Sequence, residues 1–316
     1  MLARLFSTRQ IITPRQLIKI DTVTKQVTPF YTPAAGLDSG VNAFAFDAQG
    51  NLYASDYQTR SVNRISADGK TATPVVIGID IAFGVAFDRQ GNLYISDAAK
   101  LLDPNIGPIV EKSGKIRKIS PDGTDIVLSS GLDYPVWLTF DAQDTLYVSE
   151  GYGNQIKKID TTTGAETPFV TTGLDRPFAM VFDKDGNLFV SDRGSKSIKK
   201  ILPDGTVTPF ATTGFTWPLG LAFDPDGNLF ATDGIAGGPI SNLNQISADG
   251  QTVTTILSAP ALNNPRGIIF APVLSSTTTA VPEPFTIVGT LIGGTAALRL
   301  RKKLGEFDRK VPNISR

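Results

Sequence analysis

Histidine is absent from all 316 residues of this chain, and so is cysteine. The first absence excludes catalytic sites built on Ser-His-Asp or Cys-His pairs, which need an imidazole to accept the proton. Both absences together exclude ordinary zinc sites. Any bound metal must therefore be held by oxygen ligands, which favours Ca²⁺ or Mg²⁺. Any catalysis must use carboxylates, lysine, tyrosine or such a metal.

A net charge is also lacking, since 30 Lys and Arg residues balance 30 Asp and Glu residues. Nothing in this balance favours a nucleic acid or an anionic membrane surface as the partner. The missing cysteines give no information on the redox compartment, and an exported protein does not need them. The length suits one repeat-built domain with an ample core and short terminal segments.

One motif returns along the chain: an apolar stretch ending in Phe-Asp, a tight turn, and then Gly-Asn-Leu-Tyr/Phe-x-Ser/Thr-Asp with small variations. Its five copies span residues 44–56, 85–97, 138–150, 180–192 and 221–233, and a partial copy begins at Pro265. The recurring phenylalanines stand 41, 53, 42, 41 and 47 residues apart, at Phe46, Phe87, Phe140, Phe182, Phe223 and Phe270. A period near forty built from strand-like runs indicates a β-propeller.

Each repeat divides into four predicted strands, which we name A to D. Strand A ends at Phe-Asp, and strand B is the Leu-Tyr/Phe-x-Ser/Thr-Asp segment, rich in residues that favour a pleated surface. Strand C alternates apolar and charged residues, as in Ile198-Lys199-Lys200-Ile201. Strand D closes with Thr-Pro-Phe in several copies, and its proline predicts the outer edge of the sheet.

The two ends of the repeat region hold complementary halves of this pattern. Residues 17–22 and 27–30 match strands C and D, whereas residues 265–271 match strand A. We therefore expect residues 17–31 to pair with residues 267–271 in one composite blade, with residues 4–8 as a poor match for its strand B. The predicted fold is all-β: a six-bladed propeller closed by its N- and C-terminal strands, followed by a C-terminal hydrophobic helix.

The C-terminal region has a different composition. Residues 273–281 are small and polar and predict a linker. Pro282-Glu283-Pro284 follows, then an uncharged run over residues 285–298, then the basic cluster of Arg299, Arg301, Lys302 and Lys303. The apolar stretch of 16 residues to Leu300 would measure about 24 Å as a helix, shorter than a usual membrane span. A membrane helix and a buried amphipathic helix are both open; the glycines favour the first.

This three-part tail resembles the PEP-CTERM sorting signal of bacterial exported proteins, in its cyanobacterial form. The resemblance assigns residues 282–304 to a sorting and membrane segment and leaves residues 305–316 as a polar tail. It implies transient anchoring in the inner membrane, a processing enzyme that recognises the tail, and release to the cell surface or exterior. Residues 1–20 do not match a signal peptide, because Arg4, Arg9 and Arg15 interrupt them and no apolar region of sufficient length appears. An upstream start and a cytosolic, tail-anchored protein are the two alternatives.

Residues 17–272 resemble the NHL repeats and the gluconolactonase-like six-bladed propellers. NHL repeats are mostly binding modules, so this resemblance implies an architecture more than a chemistry. The leading hypothesis is a non-enzymatic module that binds an envelope or extracellular polysaccharide or protein, without a cofactor. The alternative is a gluconolactonase-like hydrolase, which would hold a divalent cation such as Ca²⁺ or Mg²⁺ in the channel.

Antiparallel order places the ends of the B strands and the starts of the A strands on the same face of a propeller. The B-strand ends carry Asp56, Asp97, Glu150, Asp192 and Asp233. The A-strand starts carry Asn42, Phe83, Trp137, Phe178, Trp217 and Arg266. The second set is a candidate ligand-binding face. The acidic set is either a ring of caps for the B–C turns or a cation site; its recurrence in every repeat favours caps. Among the A-strand starts, only Asn42 offers a metal ligand.

Two insertions lengthen the repeats on the same predicted face. Repeat two is 12 residues longer than the usual 41, and the extra residues fall within 98–114. Repeat five is 6 residues longer, around residues 235–241. Insertions in repeat proteins commonly build the binding face.

Overall fold

The computed structural model describes residues 17–21, 26–31, 41–98, 100–101, 109–234, 241–258, 266–270 and 286–289. Every regular element in these ranges is a β-strand. Strands β1 (Leu17–Ile20) and β2 (Val27–Tyr31) come first and form an antiparallel pair. In the described ranges no helix is present that could span a membrane.

Five blades follow, each a four-stranded sheet of A, B, C and D strands. The first blade contains β3 (Val41–Phe46), β4 (Leu52–Asp56), β5 (Ser61–Ile65) and β6 (Ala72–Ile77). In the second, β7 (Ala82–Phe87) and β8 (Leu93–Asp97) are followed by a small hairpin of β9 (Lys100–Leu101) and β10 (Ile109–Val110), then by β11 (Gly114–Ile119) and β12 (Asp125–Leu132).

The remaining three blades have the regular pattern without a hairpin. The third contains β13 (Pro135–Phe140), β14 (Leu146–Glu150), β15 (Gln155–Ile159) and β16 (Glu166–Val170). The fourth contains β17 (Pro177–Phe182), β18 (Leu188–Asp192), β19 (Ser197–Ile201) and β20 (Val207–Ala211). The fifth contains β21 (Pro218–Phe223), β22 (Leu229–Gly234), β23 (Ser241–Ile246) and β24 (Val253–Ser258).

The A–B turn of each blade is built by its recurring aspartate. In the fourth blade the Asp183 carboxylate accepts the backbone N–H of Asn187 at 2.8 Å and its side-chain amide at 2.7 Å. Gly186 closes the turn at φ 81°, a conformation that glycine adopts without a Cβ clash. Both Asp183 oxygens are thereby used, so the Asp-x-Asp-Gly-Asn phrase is a hairpin turn rather than a cation loop.

The inner A strands lie against one another, and the outer D strands face solvent. Strands β8, β14 and β18 are buried along their whole length, because they are inner strands and both faces of each blade pack against neighbouring blades. Apolar side chains from adjacent blades form the core, with Phe178, Val190 and Ile198 among its fully buried members. The predicted position of the proline-bearing D strands at the outer edge is confirmed.

Strands from the two ends of the chain form one further four-stranded sheet, which we call the terminal sheet. Its order is β2-β1-β26-β25, where β25 is Ile268–Phe270 and β26 is Thr286–Gly289. The predicted partners therefore share a sheet, but β1 pairs with β26 rather than with β25. Residues 4–8, the weak match for strand B, lie outside the described residues.

Three details of the predicted fold are corrected. The structure has five blades of the repeat pattern, not six, since the terminal sheet takes a strand from outside the repeat region. No helix occurs among the described residues. The described part of the supposed hydrophobic helix, Thr286–Gly289, is a strand. Its consecutive β-branched residues Thr286, Ile287 and Val288 favour that conformation.

Candidate functional site

The ends of the B strands and the starts of the A strands meet at one end of the propeller, which we call the axial face. Direct bonds join them: Asp97 Oδ1 accepts the backbone N–H of Ile81 at 2.9 Å, just before β7 begins. Asp192 Oδ1 accepts the N–H of Asp175 at 2.6 Å, just before β17. The predicted placement of both residue sets on one face thus follows from the antiparallel blades.

Each B-strand carboxylate is used within its own blade. Four of them hold the segment that leads into strand A: Asp97, Glu150, Asp192 and Asp233 accept N–H groups of Ile81, Asp133, Asp175 and Trp217, respectively. Asp56 caps its B–C turn by accepting the N–H of Gln58 at 2.9 Å, and the segment that leads into its strand A lies outside the described residues. A capping role was predicted from the sequence, but not the segment that the other four residues cap.

Burial of these carboxylates has an electrostatic consequence. Desolvation raises the pKa of Asp192 and of Asp233 above the ordinary value of 3.8, although hydrogen bonds to each carboxylate oppose the shift. In two other blades a lysine compensates the charge: Lys115 Nζ lies 3.2 Å from Asp97 Oδ2, and Lys157 Nζ lies 3.2 Å from Glu150 Oε1. The Lys115 contact is an ion pair without hydrogen-bond geometry, since Asp97 Oδ2 accepts no hydrogen bond.

The described residues contain no group of three or more acidic side chains placed to hold a metal ion. Asn42 is also committed elsewhere. Its Nδ2 donates to the carbonyl of Ala82 at 2.8 Å, and its Oδ1 accepts a bond from Arg266 Nη1 at 2.7 Å. Asn42 Oδ1 is the only side-chain amide oxygen among the A-strand starts. Because the positively charged Arg266 already donates to it, a metal cation would be repelled from this oxygen. The oxygen donors described here do not fit a gluconolactonase-type metal.

A second set of residues, one position before the carboxylates, joins each blade to the next. In blade four the fully buried Ser191 hydroxyl accepts the N–H of Ala179 at 2.9 Å and donates to the carbonyl of Leu219, in blade five, at 2.6 Å. The same pair of bonds is made by Ser55, Ser96, Ser149 and Thr232. The Ser or Thr that every copy of the motif carries at this position was the available sequence signal for this role.

The inner part of the axial face is apolar. Phe83, Trp137 and Phe178 are each at most 8% exposed. The ring centre of Phe178 lies 5.9 Å from that of Phe83, edge-on, and 6.1 Å from that of Trp137, tilted. The backbone N–H of Trp137 donates to the Ser149 hydroxyl, as the N–H of the Gly or Ala at this position does in the other blades. Its indole belongs to the core rather than to an open channel mouth.

Partly exposed aromatic and arginine side chains surround these three buried rings. Tyr134 stacks on Tyr152 with ring centres 4.4 Å apart, and Tyr152 is 55% exposed. Arg193 lies 4.8 Å from the Phe178 ring centre and 4.4 Å from that of Trp217. Arg266 lies 5.3 Å from the Tyr57 ring centre. We call Tyr57, Tyr134, Tyr152, Trp217, Arg193 and Arg266 the aromatic–arginine cluster.

Three ionisable groups of this cluster affect one another's pKa. Burial, and to a lesser degree the positive charge of Arg266, lowers the pKa of Arg193 to about 10. Burial and Tyr152 raise the pKa of Tyr134 to about 12, while the two arginines oppose that rise.

The sequence analysis placed Trp217 and Arg266 on this face but missed Tyr57, Tyr134, Tyr152 and Arg193. One signal was available. The residue after the B-strand carboxylate is Ala98, Gly151 and Gly234 in three blades, but Tyr57 and Arg193 in the other two. Because three blades have a small residue at this position, the large side chains of Tyr57 and Arg193 mark them as candidates for contacts on the axial face. Of the predicted insertions, residues 99, 102–108 and 235–240 lie outside the described residues.

A scan against protein-family models found no match, and no curated protein matches the chain. Solved structures do match. Virginiamycin B lyase from Staphylococcus aureus is 18% identical, covering 89% of this chain and 96% of the lyase, with a TM-score of 0.59. A gluconolactonase from Xanthomonas campestris is 21% identical, covering 70% of this chain and 77% of that enzyme, with a TM-score of 0.58. At such identities the likeness shows the β-propeller fold alone.

Proposed function

We propose that this chain is a non-enzymatic binding module whose axial face holds an envelope or extracellular polysaccharide. The observation that carries the proposal is the aromatic–arginine cluster, in which four partly exposed rings and two guanidinium groups share one end of the propeller. Tyr and Trp rings offer a flat apolar face with a polar edge, and the apolar face of a sugar ring packs on such a surface. The same residue types also anchor protein–protein interfaces, so a protein is the second candidate ligand.

Two enzymatic functions are known for similar folds, but the residues of this chain fit them less well than binding. A metal-dependent lactone hydrolase needs free oxygen ligands, whereas the described carboxylates hold backbone N–H groups and Asn42 accepts Arg266. A histidine-to-alanine variant of the S. aureus virginiamycin B lyase is described as catalytically inactive. This chain contains no histidine at all, so it offers no equivalent of that side chain.

Export is part of the same proposal. The Pro282-Glu283-Pro284 motif, the uncharged run after it and the basic cluster support sorting by a PEP-CTERM-type system, with the propeller outside the cell and a processing enzyme acting on the tail. The alternative is a cytosolic, tail-anchored protein. Protease added to spheroplasts carrying an epitope in the propeller tests this: we expect digestion of the cell-associated propeller, and protection until the inner membrane is lysed would favour the cytosolic alternative.

Binding is tested with the purified chain on a panel of immobilised polysaccharides, by retention and by titration calorimetry. Trp217→Ala and Tyr152→Ala should weaken binding, each by about tenfold or less, because each removes one of several ring contacts. Phe169→Ala, on the outer β16 strand, is the matched control for loss of a ring. Retention that is equal in all variants would contradict the assigned face.

Catalysis is tested in the same preparation with sugar lactones and added Ca²⁺, Mg²⁺ or Mn²⁺. We expect no turnover above the rate in buffer. Turnover that EDTA abolishes, and that is lost in a folded Asp192→Ala variant, would favour the hydrolase over the binding module.

A further inference from the structure

Among the described residues, Arg193 has no acidic partner. None of their carboxylates forms an ion pair with its guanidinium group, and the guanidinium Nε is buried without a hydrogen-bond partner. The contacts with Phe178 and Trp217 favour the positive charge but satisfy none of the guanidinium donors. Keeping a partly buried, unpaired guanidinium is unfavourable for stability, which suggests that a ligand supplies the missing acceptor.

A second guanidinium, that of Arg266, belongs to the same aromatic–arginine cluster. Arg266 contacts the Tyr57 ring and donates to Asn42 Oδ1, an arrangement that fixes its position between strand β3 and strand β25. Its positive charge adds to that of Arg193 at this end of the propeller. The carboxylates of Asp192 and Asp233 do not pair with Arg193, because each accepts backbone N–H groups of its own blade.

The aromatic rings around the arginines indicate what kind of anion would bind there. Tyr134 and Tyr152 form a stacked pair whose outer member is more than half exposed, so a flat ligand can pack beside the guanidinium groups. Guanidinium edges match a planar carboxylate with two parallel hydrogen bonds. A ring that carries a carboxylate therefore fits the cluster better than a neutral sugar.

We propose that the polysaccharide is acidic, and that Arg193 binds the carboxylate of a uronate residue packed against the neighbouring rings. This inference rests on the proposed function and adds the chemical class of the ligand. A single uronate residue is enough to engage Arg193.

The test compares trimers of galacturonate and of guluronate with the methyl esters of the same trimers, which differ only in the carboxylate charge. Calorimetric titration of the full chain should show binding of at least one acid and at least about tenfold weaker binding of its ester. Arg193→Gln should remove this preference. Arg64→Gln, an exposed arginine of β5 with the same change in charge, should leave it unchanged.

A structural role of Arg193 gives a different result. If the side chain serves only to pack on Phe178 and Trp217, Arg193→Gln lowers the melting temperature and leaves the acid-to-ester ratio intact. We expect the reverse: a melting temperature equal to or above that of the parent chain, because an unpaired buried charge has been removed.

The other outcomes separate this inference from the proposed function. Equal binding of acid and ester that still depends on Trp217 would retain the polysaccharide module and overturn the uronate assignment. Failure of both acids to bind would also overturn it, whereas the retention panel decides the proposed function independently.

Discussion

Ser191 connects two blades through a single hydroxyl group. It is fully buried, and its loss leaves the N–H of Ala179 and the carbonyl of Leu219 without partners. We expect Ser191→Ala to lower the free energy of unfolding by about 1–3 kcal/mol. Ser191→Thr should cost less, because Thr232 makes the same two bonds in blade five. Urea denaturation checks both variants, and equal stability of the alanine variant and the parent would show that the bond contributes nothing.

Asp233 gives the molecule a pH dependence of defined sign. Its pKa is raised by burial, so the folded state holds a proton more tightly than the unfolded state. The associated stability is therefore present below the ordinary value of 3.8 and is lost as pH rises through the raised pKa. The Asp233→Asn amide can still accept the N–H of Trp217 and does not ionise.

We therefore expect the stability of Asp233→Asn, relative to the parent chain, to improve as the pH rises from about 3.5 to 7. Chemical denaturation at several pH values measures this difference. Asp204→Asn is the control, because Asp204 is an exposed turn residue whose pKa is lowered by hydrogen bonds from Thr206. A relative stability of Asp233→Asn that is flat or falls with pH would contradict the raised pKa.

At the scale of the element, the A–B turn requires one residue in the left-handed conformation. Four blades place glycine there, but blade three has Asp144, at φ 65°. Asp144→Gly should stabilise the chain by about 1 kcal/mol, because a residue with a Cβ is strained in this region. Gly186→Ala is the reciprocal variant: Gly186 has φ 81° and only Pro203 near its added Cβ, so strain alone should destabilise it by a similar amount.

Thermal and urea unfolding of the two turn variants measure these effects. A loss of stability in Asp144→Gly would mean that the contacts of the Asp144 carboxylate with the N–H of Arg89, at 3.3 Å, outweigh the relief of strain.

The turns were predictable from sequence because their determinants are local. Asp183 and Asn187 lie four residues apart, and the same spacing recurs in the other A–B turns, with Thr145 replacing the asparagine once. The aromatic–arginine cluster was not predictable in this way. Arg193 meets Trp217 of the next blade, and Arg266 meets Tyr57, more than 200 residues earlier in the chain. Only the closure of the ring brings such residues together.

At the scale of the whole molecule, the terminal sheet joins the two ends of the repeat region. Strand β26 pairs with β1 on one side and β25 on the other, so its backbone groups bridge the N-terminal and C-terminal parts of the sheet. The same residues belong to the segment assigned by resemblance to membrane sorting. Residues 286–289 cannot be a strand of this sheet and part of a membrane helix at the same time, so the two roles compete.

Ile287→Pro distinguishes these roles, because proline removes a backbone N–H and is poorly tolerated in a strand with partners on both sides. Ile287 faces Lys19 of β1 and Ile269 of β25. We expect a loss of at least about 1 kcal/mol in unfolding free energy, with faster amide exchange in Ile18–Ile20 and Ile268–Phe270. Ser275→Pro, in the predicted linker, is the control. Unchanged stability and exchange in Ile287→Pro would remove β26 from the sheet and leave the segment free for sorting.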